Sequence, residues 1–123
     1  MQFLLLMYAN EATVEAFAAE AMTPILDRCH AFTDELEAAG ALRGNNRLRP
    51  IAAARSVTKR GGAFAQTDGP FAETKEHLGG YYLIEVPTLD DAVEWAKKFP
   101  TAEFGTVEVR PVWPMDDGAG GEA

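Results

Sequence analysis

The chain has little of three things: cysteine, histidine and positive charge. A single cysteine, Cys29, excludes an intrachain disulfide, and with only two histidines no zinc-ligand spacing exists. Eleven Lys and Arg stand against nineteen Asp and Glu in 123 residues, a formal net charge of −8. A surface this acidic disfavours nucleic acid and anionic membranes as partners. No apolar run is long enough to span a bilayer. The first residues carry neither a basic region nor a small-residue cleavage site, so they do not read as a signal peptide. These features point to the cytosol. Also missing are a serine-nucleophile elbow, a P-loop and a dinucleotide fingerprint, so no cofactor is expected, and one cysteine with two unmatched histidines gives no transition-metal site.

What is present suffices for one domain. The hydrophobic fraction of 47% is ordinary for a globular chain. Residues 3–8, Phe-Leu-Leu-Leu-Met-Tyr, form a continuous apolar run that fits a central strand buried on both faces. Residues 9–22 are alanine-rich with scattered acids and read as a loop with at most a short helical turn. Thr23-Pro24 then reads as a helix start, and Ile25, Cys29, Phe32 and Leu36 follow at helical spacing, with Leu26 widening the stripe and Gly40 as the stop. Cys29 on that stripe reads as a small buried hydrophobe, and His30 beside it as a solvated residue.

Residues 41–50 read as a connection turning at Gly44-Asn45-Asn46. Residues 54–60 and 63–67 read as a hairpin closed at Gly61-Gly62. Arg43, Arg47, Arg49, Arg55, Lys59 and Arg60 concentrate the basic charge here. They serve either as a solvated edge that discourages strand-to-strand aggregation or as a rim that attracts an anionic ligand or acidic partner. Gly79-Gly80 opens a strand over 81–86 and marks a bulge or a close backbone approach. Alternation sets Tyr81, Leu83 and Glu85 on one face and Tyr82, Ile84 and Val86 on the other. Thr88 caps a second helix with Leu89, Val93 and Ala96 as its inner stripe, and Pro100 ends it. The last strand, 106–113, sets Val107 and Val109 against Thr106, Glu108, Arg110 and Val112. The domain spans 1–113, and the acidic, glycine-rich residues 114–123 read as a disordered tail.

The order is strand, helix, hairpin, strand, helix, strand: the βαββαβ pattern of a ferredoxin-like α+β sandwich. Its helices can cover one sheet face only. The other is apolar too, so a second copy of the chain is the economical cover, giving a homodimer with sheets face to face.

The densest chemistry lies at residues 68–76, Asp-Gly-Pro-Phe-Ala-Glu-Thr-Lys-Glu, followed by His77. Gly69 suits a backbone bend, Pro70 fixes its own φ, and Phe71 is placed to anchor the corner. Asp68 there is either a turn-former or an acid–base group, and His77 could pair with it. Glu73 and Lys75 share a side if the segment is extended; Glu73 and His77 become neighbours if it is helical. Phe71, Glu73, Lys75, Tyr81 and Arg110 are the candidate ligand contacts, and Asp68 and His77 the candidate catalytic pair.

These residues, with Leu78-Gly79-Gly80-Tyr81-Tyr82, the opening strand, the Phe32…Leu36…Gly40 helix end and the closing Val107-Glu108-Val109-Arg110-Pro111, resemble the DGPF branch of the YCII-related family. The resemblance covers the chain to about Trp113. It implies a dimeric α+β barrel of ferredoxin-like subunits. It implies a site built on a histidine and an aspartate; Asp68 falls on the matching motif, whereas neither His30 nor His77 does. It also implies a link to extracytoplasmic-function sigma factors, and with it an alternative role as a regulatory module for a transcription-related protein. The favoured role is a small-molecule-binding protein, with a possible enzymatic cleft near residues 68–76.

Overall fold

The computed structural model describes residues 1–70 and 72–114. The fold is α+β. In chain order it runs β1 (Gln2–Ala9), α1 (Glu11–Glu15), α2 (Ala19–Ala38), β2 (Leu42–Arg47), β3 (Arg55–Arg60), β4 (Ala63–Asp68), β5 (His77–Glu85), α3 (Leu89–Lys97) and β6 (Thr106–Pro111), with 3-10 turns at Ile51–Ala53 and Pro100–Glu103. Four strands make one antiparallel sheet in the order β2-β5-β1-β6; β3 and β4 make a separate two-stranded sheet.

Period-two alternation builds the main sheet. Phe3, Leu5 and Met7 on β1 and Tyr82 and Ile84 on β5 are buried, while their sequence neighbours are not. Both long helices cover this one face, through Phe32 and Leu36 of α2 and Ala92 and Ala96 of α3. Phe32 is the hub: its ring meets Tyr82, Trp95 and Phe99 edge-on at centroid distances of 5.3, 6.0 and 4.9 Å. Such pairs add about 0.5–1.5 kcal/mol each beyond area burial. The Tyr82 hydroxyl lies 2.7 Å from Thr33 Oγ1, and Thr33 in turn donates to the Cys29 carbonyl, so the buried phenol keeps a partner.

Several expectations change. The helix begins at Ala19, not at Thr23-Pro24. Alanine has the strongest helix propensity, so the alanine-rich segment extends the helix past Pro24 at the loss of one backbone bond. Leu26 faces solvent. Residues 42–47 are the fourth strand of the sheet, although they read as a connection. As an edge strand, β2 pairs only with β5 and carries polar residues on most of its length, so alternation leaves no signal. The hairpin therefore supplies no strand to the main sheet. On α3 the inner stripe runs Ala92–Ala96 towards Phe99, and Leu89 is exposed.

Other expectations match. Gly61 and Gly62 have φ of 57° and 81°, which is what a two-residue hairpin turn of primed type requires. Thr88 forms a capping box with Asp91. Gly79 is the extra residue of a bulge, because Met7 pairs with Gly80 and Tyr8 with Leu78. Gly80 permits a close approach: a Cβ there would sit 2.9 Å from the Asn46 carbonyl oxygen. No helix among the described residues is long and apolar enough to cross a membrane. The tail expectation for residues from 115 onward lies outside the described residues.

Candidate functional site

Several connections converge where β1 ends and β5 begins. Asn10 caps α1 by accepting from the Thr13 N–H at 3.2 Å, and its Nδ2 donates to the Lys75 carbonyl at 2.9 Å. The Glu11 N–H donates to His77 Nδ1 at 3.3 Å. The Glu11 carboxylate accepts from the Ile51 N–H at 2.9 Å, which ties down the segment after β2. Thr106, at the start of β6, donates to the Glu76 carboxylate at 2.8 Å. His77 is half-buried here. With Nδ1 accepting from Glu11, Nε2 is the ring nitrogen left to donate.

Beside this corner lies the sheet face that the helices leave uncovered. Register sets Leu4, Leu6 and Tyr8 of β1 beside Leu83, Tyr81 and Leu78 of β5, all half-buried. The bulge at Gly79 is what brings Leu78 and Tyr81, three residues apart, to the same face. One rim is polar through Asn46, whose Nδ2 donates to the Tyr81 hydroxyl at 2.8 Å. The other rim is Glu108 and Arg110 on β6, paired with each other and set beside Leu6 and Leu4.

The sequence-derived candidates fall into separate places. Asp68 ends β4 on the outlying hairpin; its side chain is 86% exposed and its carboxylate lies 3.1 Å from Arg55 Nε. No hydrogen bond or ion pair joins it to His77. Gly69 bends the chain there with φ of 88°, donating to the Ala54 carbonyl at 2.7 Å while its own carbonyl accepts from Ser56. Glu73 and Lys75 are exposed in the irregular segment that follows, so the helical pairing of Glu73 with His77 is absent. Tyr81 and Arg110 do share a face, separated by β1. Phe71 lies outside the described residues.

Asn10, Glu11 and Tyr8 are additions to the site that residue-type reasoning did not single out. A weak signal existed for Asn10, which stands three residues before Thr13 at an N-cap spacing. No signal linked Glu11 to His77, because 66 residues separate them.

Among the described residues, no cluster of three or more His, Cys, Asp or Glu is placed to hold a metal ion. Two open grooves flank α3 on the other side of the molecule. The larger, about 460 Å³, runs between α3 and β6 past Val93, Ala96, Val107 and Val109. Cys29 packs half-buried against the core, and burial pushes its thiol pKa up, so it is a poor nucleophile at neutral pH.

Residues 1–116 match the family model of the YCII-related domain. An uncharacterised protein of Rhizobium meliloti (strain 1021) is 35% identical over 114 residues, covering 91% of this chain and 92% of that one. Among solved structures, 5-chloro-2-hydroxyhydroquinone dehydrochlorinase from Burkholderia phenoliruptrix AC1100, in complex with 2,5-dihydroxybenzoquinone, superimposes with a TM-score of 0.51 at 12% identity. The likeness covers 90% of this chain and 92% of the dehydrochlorinase, and at that identity it speaks for the fold alone. On the extent of the family match and of the Rhizobium relative, the chain belongs to the YCII-related family.

Proposed function

We propose that the protein binds a small molecule as a homodimer. In this reading its subunits are ferredoxin-like, of the DGPF branch, and pack open sheet face to open sheet face as a dimeric α+β barrel. The strand order β2-β5-β1-β6 with both long helices on one face supports that architecture. The observation that carries the proposal is the uncovered apolar face of Leu4, Leu6, Tyr8, Leu78, Tyr81 and Leu83, rimmed by Asn46, Glu108 and Arg110. A contiguous apolar face with a polar rim marks an interface or a ligand wall. The ligand sits where that face meets the segment after Asp68. Tyr81 and Tyr8 are its walls, Arg110 and Lys75 its anion contacts, and the His77 Nε2–H a hydrogen-bond donor. Asp68 and His77 are the groups to test for acid–base work. The dehydrochlorinase was solved with a small hydroxylated quinone, so compounds of that size and polarity come first in a screen.

The test has two arms. Sedimentation at micromolar concentration should give a dimer, and Leu6→Asp a monomer. A thermal-shift screen should yield a compound that stabilises the wild type, by about 2.7 kcal/mol at a hundredfold excess over Kd. Tyr81→Ala and His77→Gln should reduce that shift. A wild-type monomer that no compound stabilises would rule the proposal out.

A further inference from the structure

We infer that the β3–β4 hairpin is an arm that grips a second copy of this chain, lying across the acidic body of the partner subunit. The inference rests on the homodimer proposed above but concerns a different surface. The hairpin forms no ladder with the four-stranded sheet, and every residue of its two strands except Ser56 is exposed. Its pairing is nevertheless regular over six residue pairs, from Arg55↔Asp68 to Arg60↔Ala63. A lone two-stranded ribbon is marginally stable in water, so a ribbon this regular calls for a surface to lie on.

Its sequence says what that surface must be. One face of the ribbon carries Arg55, Val57 and Lys59 opposite Asp68, Gln66 and Phe64. Val57 and Phe64 are 62% and 74% exposed, and the Lys59 ammonium lies 5.3 Å from the Phe64 ring centre. Two bare apolar side chains flanked by cations fit a surface that is acidic around an apolar patch. The arm, residues 55–68, holds three Lys and Arg, at Arg55, Lys59 and Arg60, against one acid, Asp68. The remaining described residues hold eight Lys and Arg against fifteen Asp and Glu. The body of the chain is therefore the complement of its own arm, yet the arm does not fold back onto it. A two-fold dimer lets each arm reach the same body on the other copy, and both contacts form at once. The root of the arm is built to hold its direction: Gly69 N–H to the Ala54 carbonyl, Ser56 Oγ to the Gly69 carbonyl, and the Arg55–Asp68 pair.

The experiment uses sedimentation equilibrium on the full chain. The double variant Val57→Glu/Phe64→Glu should raise the dimer dissociation constant at least tenfold, and Lys59→Glu/Arg60→Glu should raise it by a similar factor. Circular dichroism of the monomer should be unchanged, because these side chains face solvent in one subunit. A photo-crosslinker in place of Phe64 should yield dimers joined through the partner's acidic body, mapped by mass spectrometry. An unchanged dissociation constant in both variants hands the arm to a different acidic partner and overturns the inference. So do crosslinks confined to one chain. Leu6→Asp separates the two readings: if it leaves the dimer intact while the arm variants break it, the sheet-face interface fails and the arm survives.

Discussion

Gly105 stands just before β6, and the architecture allows no other residue there. A Cβ at this position would lie 3.1 Å from both Cα and Cβ of Ala9 and closer still to the Tyr8 carbonyl oxygen. Those are atoms of β1 at the point where Tyr8 pairs with Thr106. The Tyr8 oxygen and Ala9 Cα are main-chain atoms, so neither can swing aside like the end of a long side chain. Overpacking of this kind costs about 1–3 kcal/mol, and a rigid neighbour puts Gly105→Ala at the upper end, about 3 kcal/mol. For a domain of this size, roughly 4 °C is lost per kcal/mol, so the thermal midpoint should fall by about 12 °C.

Two controls separate space from backbone angle. Gly69→Ala meets open space but forces alanine to φ of 88°, which should cost about 1–2 kcal/mol. Gly44→Ala meets open space at an ordinary φ and should be neutral or stabilising by about 0.4–1 kcal/mol. The assay is thermal and urea denaturation of the three variants with the wild type. The expected order of stability is Gly44→Ala, then Gly69→Ala, then Gly105→Ala. A Gly105→Ala protein melting within about 2 °C of wild type would refute the close approach of β6 to β1, since even the mildest overpacking should exceed that.

Phe32→Ala should be the most damaging core change, costing about 3–5 kcal/mol as the hub of the aromatic cluster, and urea midpoints will measure it. Thr88→Ala removes the capping box of α3 and should cost about 1 kcal/mol, with Thr88→Ser recovering most of it. Cys29 should react slowly with iodoacetamide at neutral pH, with its rate profile displaced upward in pH, because burial raises the thiol pKa; a rate equal to that of a free thiol would contradict its packing. The sign for stability follows: the unfolded chain ionises Cys29 first, so stability is intact below the ordinary thiol pKa and declines as pH rises through the folded value. Denaturant midpoints of wild type and Cys29→Ala across the alkaline range measure that difference.

Where a segment has one face in the core, its alternation is readable in the sequence. Spacing sets Tyr82 and Ile84 on one face, Tyr81 and Leu83 on the other, and Val107 with Val109; the fold turns Tyr82, Ile84, Val107 and Val109 towards the core. Local chemistry was equally readable: Thr88 as a cap, Gly61-Gly62 as a turn, Gly79-Gly80 as a bulge and close approach. The failures share a cause. β2 buries almost nothing, so no hydrophobic period marks Leu42–Arg47, and its strand character comes from the free edge of β5. The hairpin showed strand periodicity and a clear turn, and so took the place of the fourth strand in the pattern. Local signals identify a ribbon; they do not say which sheet it joins.

The same distinction governs the site. A charged residue before Gly-Pro occupies a rigid corner, which makes Asp68 a candidate, and the corner is there, with Gly69 at positive φ. What surrounds the corner depends on pairings 13 to 66 residues away. Arg55 meets Asp68 because two hairpin strands are in register, and His77 meets Glu11 because β5 starts opposite the end of β1. Residue type therefore nominated Asp68 and His77 together, and topology assigned them separate partners on separate sheets. A shared acid–base role for the two would need the dimer to close the gap, the arm of one copy reaching toward the sheet end of the other. That makes the oligomeric state the first measurement: in a monomer Asp68 and His77 work apart, and in an arm-exchanged dimer an Asp68 variant and a His77 variant, mixed, should restore one intact site.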